Sequence, residues 1–202
     1  MATTSLPTSQ QLDWSGNALL TTDAVVSGSL FVGGSEFAAV DLDYVNNLTA
    51  TAAEVNRATD VSGRIVNVTA ATLAVAEATH EGKTVTLNKA DGQTMTMPAA
   101  TGGGARYRFV IGTTSTSNAY VFSPTGNDTI KGVAILGDST DGTAHIWATT
   151  AGDNTLTLGG TSNATGGIEG TVVIYEDIAA DVWLVTVIGD AGGTEANPFS
   201  TV

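Results

Sequence analysis

Lys83-Thr84-Val85-Thr86-Leu87-Asn88-Lys89-Ala90-Asp91-Gly92-Gln93-Thr94-Met95-Thr96-Met97 sets the fold class: polar and apolar residues alternate on both sides of an Asp-Gly turn. Alternation with a period of two marks a strand with one buried face, and Asp-Gly is a strong turn signal. The two runs are expected to pair as a β-hairpin. Pro98 stops the second run, and Gly102-Gly103-Gly104 opens a loop.

Downstream, the same grammar repeats. Arg106-Tyr107-Arg108-Phe109-Val110-Ile111 reads as a strand with Arg106 and Arg108 on one face and Tyr107, Phe109 and Ile111 on the other. Further strands are expected at 119–122, 129–135, 145–148, 155–158, 170–175 and 182–188, separated by Gly126-Asn127, Asp141-Gly142 and Gly152-Asp153-Asn154. Upstream, Ile65-Val66-Asn67-Val68 is a strand candidate, while Leu73-Ala74-Val75-Ala76 fits strand or helix. Short strands about ten residues apart with Gly/Asn/Asp turns predict a mainly β domain, an antiparallel β-sandwich of jelly-roll type, over residues 63–202. No repeat of fixed period runs through it, which counts against a solenoid.

Before that domain the text changes. Thr51-Ala52-Ala53-Glu54 is a capping box, so one short helix is expected within a linker at 49–62. Residues 1–48 read as an extended N-terminal arm, with isolated apolar residues and short alternating runs before Gly33-Gly34. An arm of this kind cannot bury enough surface alone to offset its ordering entropy. Its apolar residues Trp14, Leu30 and Phe31 are therefore candidate anchors, either for a partner or for the C-terminal body of the same chain. Deleting residues 1–48 is expected to leave a folded β domain that has lost its partner.

Charged residues are 13% of the 202-residue chain, well below the usual quarter, so Thr, Ser, Asn and Gly must form the polar surface. Such surfaces suit repetitive β structure and broad protein–protein contacts. Net charge is −13, which makes nucleic acid an unfavourable partner. Only residues 61–112 carry more bases (Arg64, Lys83, Lys89, Arg106, Arg108) than acids. Arg106 and Arg108 join the contact candidates on that ground, while Lys83 and Lys89 read as ordinary strand-edge lysines. The chain has no cysteine, no apolar run of membrane-spanning length and no basic, apolar leader at Met1-Ala2-Thr3-Thr4-Ser5. No membrane association is expected.

Candidate chemistry is thin. His80 and His145 stand outside any nucleophile motif. Carboxylates pair at Asp41/Asp43, Asp138/Asp141 and Glu176/Asp177, but with 6% aromatic residues a sugar-cleaving cleft has little support. Asp138-Ser139-Thr140-Asp141-Gly142 lacks the rest of a calcium loop and reads as an Asx turn. Gly102-Gly103-Gly104 precedes a strand rather than a helix, so it reads as a flexible turn and not as a phosphate loop. Neither catalytic residues nor a metal or cofactor site are expected.

Several phrases resemble a known class. Leu48-Thr49-Ala50-Thr51-Ala52-Ala53-Glu54-Val55-Asn56 is similar to a segment of tailed-bacteriophage virion proteins. So are Thr94-Met95-Thr96-Met97-Pro98-Ala99-Ala100-Thr101-Gly102 leading into Tyr107-Arg108-Phe109-Val110, and the tail Gly193-Thr194-Glu195-Ala196-Asn197-Pro198-Phe199-Ser200. Together these resemble a capsid decoration (cement) protein of a tailed phage. The resemblance implies a β-rich virion structural protein, a homotrimer made in the host cytoplasm. It would sit on the outer capsid surface, bound to the major capsid protein. Short tail or head fibres and receptor-binding proteins share the phrasing and form the alternative.

Overall fold

The computed structural model describes residues 30–32, 35–37, 63–138 and 141–202. The chain divides into two units, Met1–Thr59 and Asp60–Val202. In the first, β1 (Leu30–Val32) pairs antiparallel with β2 (Ser35–Phe37), placing Leu30 opposite Phe37 and Phe31 opposite Glu36. Trp14 and the helix expected at Thr51–Asn56 lie outside the described residues, as does most of the 1–48 arm.

The second unit is a sandwich of two sheets. Its strands are β3 (Ile65–Val68), β4 (Thr72–Ala74), β5 (Thr84–Leu87), β6 (Gln93–Thr96), β7 (Arg106–Ile111) and β8 (Ala119–Ser123). They continue as β9 (Thr129–Asp138), β10 (Ala144–Ala148), β11 (Thr155–Gly159), β12 (Val172–Ala179), β13 (Val182–Ala191) and β14 (Phe199–Ser200). One sheet has the order β10-β9-β13-β12-β7-β5-β3, the other β14-β11-β8-β6-β4. A single helical turn, α1 (Glu77–His80), joins β4 to β5. It follows Thr72–Ala74, so the ambiguous Leu73–Ala76 stretch is strand first and helix lead-in second. Among the described residues no helix is long and apolar enough to cross a membrane.

The mainly β, two-sheet architecture is the one anticipated, but the sheets are mixed, and the Lys83–Met97 hairpin does not form. β5 belongs to the seven-stranded sheet and β6 to the five-stranded one. The Asp91-Gly92 turn carries the chain across the sandwich instead of back along the same sheet. β5 pairs in parallel with β3 and β7, and β6 in parallel with β4 and β8. Residues 65–123 are therefore three stacked coils, each crossing from one sheet to the other. β3, β5 and β7 begin at Ile65, Thr84 and Arg106, 19 and then 22 residues apart. The unequal spacing hides the repeat from a search for a fixed period.

The coils are held by matched contacts. Val68, Leu87 and Ile111 stack in one sheet, and Leu73, Met95 and Phe122 in the other. At the first turn the Asn88 amide donates to Val68 O, and one coil later the Gly112 amide donates to Leu87 O, both at 2.9 Å. Gly112 leaves room for the Asn88 side chain: a Cβ there would stand 2.1 Å from Asn88 Oδ1, so that side chain would have to move. Gln93 and Tyr120 occupy paired positions on β6 and β8. The buried Gln93 amide donates to Val68 O (3.1 Å) and Ala70 O (2.6 Å) in the preceding coil's turn. The Tyr120 hydroxyl reaches Lys89 O at 2.8 Å and Thr113 O at 2.6 Å, the Lys89 contact again lying in the preceding coil's turn.

The remaining strands are antiparallel, apart from the parallel joint between β9 and β13. Their inward residues complete one core, including Ile130, Leu136, Val173, Tyr175, Trp183, Val185 and Val187. An aromatic chain links the layers. Phe109 meets Phe122 edge-on at 5.1 Å, Phe122 stacks on Tyr175 at 5.8 Å, and Tyr175 meets Trp183 at 6.1 Å. Such pairs add specific geometry to a large apolar burial.

Candidate functional site

Strand alternation separates Glu176 from Asp177, whose carboxylate adjoins a cavity. Glu176 and Asp177 are consecutive on β12, so their side chains leave opposite faces of the sheet. Glu176 points outward and takes Arg106 Nε at 2.9 Å from the facing position on β7. Asp177 points inward and is buried. It accepts the amides of Thr101 (2.9 Å), Gly102 (2.7 Å) and Gly103 (3.1 Å), and the Thr101 hydroxyl at 3.0 Å. The glycine-rich loop is thus not a loose turn. Its amides converge on an anion, and that anion is the chain's own carboxylate.

Beside this nest lies a cavity of about 170 Å³, lined by Glu77, Glu81, Thr101, Tyr107, Asp177 and Trp183 among others. Burial, and then the carboxylates of Glu81, Glu77 and Asp177, push the Tyr107 phenol up to about 12. Burial alone would raise Asp177 as well. The three loop amides and the Thr101 hydroxyl outweigh it and hold its pKa below the usual 3.8. At neutral pH the site therefore offers a fixed carboxylate and a protonated phenol. Asp177, ionised and saturated with donors, is a poor proton shuttle.

Other buried acids do similar work. Asp128 accepts the Ala100 amide at 2.6 Å, and Asp153 accepts the Thr150 amide at 2.6 Å. His80 is buried at the end of α1, where its Nδ1 accepts the Ala76 amide at 3.0 Å. His145 is exposed on β10, stacks on Trp147 at 5.6 Å and lies 3.4 Å from Glu195. Asp141 forms the expected Asx turn, accepting the Thr143 amide at 2.8 Å and its hydroxyl at 2.6 Å.

Of the contact candidates, Arg106 and Arg108 share the outer face of β7, as the alternation predicted. Arg106 is engaged by Glu176, and Arg108 donates to the Thr84 hydroxyl at 3.1 Å. Leu30 and Phe31 lie on β1 of the other unit.

The outer face of the seven-stranded sheet was not anticipated as a site. Ladder register puts Ile146, Ile135, Ile188, Val172 and Val110 side by side across β10, β9, β13, β12 and β7. A second row holds Ala148, Val133, Thr186, Ile174 and Arg108, and a third holds Lys131, Leu184, Glu176 and Arg106. Ile146 is 69% exposed, Ile188 56%, Ile135 38% and Val133 36%. Scattered exposed apolar residues are ordinary, but a contiguous row across five strands is more than scatter. The chain matches no protein-family model and no curated protein sequence.

Proposed function

We propose that the chain is a virion structural protein of a tailed phage that decorates the outer surface of the capsid by binding the major capsid protein lattice. It works through surface contact, with no reaction of its own. The carrying observation is a two-sheet β body with few charges and a contiguous apolar face, a surface suited to association with protein. The resemblance of Leu48–Asn56, Thr94–Gly102 and Gly193–Ser200 to segments of phage virion proteins supports the virion setting. Many copies, each making modest contacts on a repeating lattice, would multiply them through avidity and tie neighbouring capsomers together. The net charge of −13 favours an outer location away from packaged DNA. Stacked parallel coils favour a second reading, a short head or tail fibre, because such coils can extend along an axis.

The test is to add purified full-length chain to shells lacking it and to image the particles. Density at every equivalent lattice position, with raised resistance of the shells to heat, is the expected result. A few copies at one vertex would indicate a fibre, and no bound density would overturn both readings.

A further inference from the structure

The apolar face carries a symmetry of its own. β13 is the middle strand of the five that bear the rows, with β9 and β12 as its neighbours and β10 and β7 beyond them. A two-fold axis laid along β13 exchanges β9 with β12 and β10 with β7. Two copies facing each other about that axis would bring Ile135 against Val172, Ile146 against Val110, and Ile188 against its own copy. In the second row Val133 would meet Ile174. In the third, Lys131 of each copy would meet Glu176 of the other, where Arg106 already stands at 2.9 Å.

We propose that the outer face of the seven-stranded sheet is a two-fold contact between two copies of this chain, with β13 on the axis. This rests on the reading of the chain as a protein that acts by surface contact; it gives the apolar face to a sister copy, so that shell contact falls to other surfaces of the paired body. The pattern is largely self-complementary: apolar meets apolar throughout the first row and at Val133 with Ile174, Thr186 meets its own copy, Arg108 faces the small Ala148, and Lys131 of β9 meets Glu176, the outward acid of β12. An isologous contact requires such a pattern, whereas an unrelated partner does not. Charge points the same way. Two chains of net charge −13 repel over most of their surfaces, but these three rows hold three bases (Lys131, Arg106, Arg108) and one acid (Glu176). Asp190, two residues beyond Ile188 on β13, would oppose its own copy and bounds the contact at that end.

Five strands about 4.8 Å apart, and three rows about 7 Å apart, give roughly 500 Å² per copy. About 1,000 Å² in total lies at the lower end of specific interfaces, so a reversible, micromolar dimer is expected. Paired sheets settle about 30° from parallel, which spreads the contact around its centre.

Sedimentation of the full chain should show a monomer–dimer equilibrium. Lys131→Glu and Glu176→Lys should each lower dimer affinity at least tenfold, because each sets like charges together twice. Mixing the two variants should regain dimers at wild-type affinity, because the mixed pair restores both contacts. Ile188→Asp should stay monomeric with an unchanged circular dichroism spectrum. A wild type that stays monomeric at about a hundredfold above the micromolar range, a trimer, or a mixture that fails to regain dimers would overturn the proposal. Loss of shell binding by Ile188→Asp with no wild-type dimer would assign the face to the capsid protein, and would also overturn it. A wild type that dimerises but binds no shell would leave this contact standing and overturn the decoration reading alone.

Discussion

From Ile65 to Ser123 the chain repeats one operation: cross the sandwich, turn, and lay the next strand parallel to the last. From Thr129 to Ala191 it makes long strands instead, β9 and β13 of ten residues and β12 of eight, most of them paired antiparallel. The first region holds register at its turns, where Gln93, Tyr120 and Asn88 clasp the coil before. The second holds register along its strands, through long backbone ladders and an alternation of buried and exposed residues that runs through most of β9, β12 and β13. A change at a turn should therefore be felt locally in the first region. A change within a strand of the second should be felt by the whole sheet.

Gly132 tests that contrast most severely. It sits inside β9 at φ +149°, and a Cβ there would lie 1.7 Å from the carbonyl oxygen of Val185 on β13. The obstacle is backbone, so no side chain can swing aside. Gly132→Ala is expected to cost about 4 kcal/mol or more, enough to leave much of the protein unfolded. Denaturant melts monitored by circular dichroism would measure it. A loss under about 1 kcal/mol would mean that the β9–β13 joint is softer than its register implies.

Asp177 spans the two regions, since it belongs to β12 and holds the loop that delivers β7. Asp177→Ala leaves three amides without their acceptor and is expected to cost about 3 kcal/mol. The pH dependence has a definite sign. The folded carboxyl titrates below its ordinary value, so its contribution is complete above the unfolded pKa of about 3.9 and disappears as pH falls through the folded value. The gap between wild type and Asp177→Ala should therefore be widest near neutrality and shrink below about pH 4. A gap unchanged to about pH 2 would show that the carboxylate is not what anchors the loop.

The same comparison explains what could be read in advance. Alternation along β7, β12 and β13 was legible because it belongs to each strand alone, and with it the common face of Arg106 and Arg108. Partners were not legible. Thr84–Leu87 and Gln93–Thr96 alternate identically whether they fold into a hairpin or belong to facing sheets, and Asp91-Gly92 turns the chain in either case. The role of Gly102-Gly103-Gly104 was hidden for a different reason: its anion lies more than 70 residues away in sequence. Glu176 and Asp177 were separable, since neighbours on a strand face opposite ways. The apolar rows become visible only when ladder register is known, because each strand contributes one or two residues to them.

Two buried tyrosines give the finest test of how the regions differ. Tyr120, in the coils, has one hydroxyl proton within reach of Lys89 O and Thr113 O, and both carbonyls belong to turns that it ties together. Removing that hydroxyl should cost about 1 kcal/mol and loosen the turns, seen as faster amide exchange at residues 112–116. Tyr175, on β12, is fully buried, and its hydroxyl has no hydrogen-bond partner among the described residues. Burial raises its pKa, as expected for a phenol that ionises with difficulty in apolar surroundings. Its ring does the packing, stacked on Phe122 and edge-on to Trp183, and phenylalanine keeps that ring. An unpaired buried hydroxyl has lost its water and gained nothing in return, so Tyr175→Phe should be neutral or stabilising by up to about 1 kcal/mol. Matched melts of the two variants decide the point. If Tyr175→Phe destabilises as much as Tyr120→Phe, the β12 hydroxyl has a partner, and the second region too relies on polar clasps.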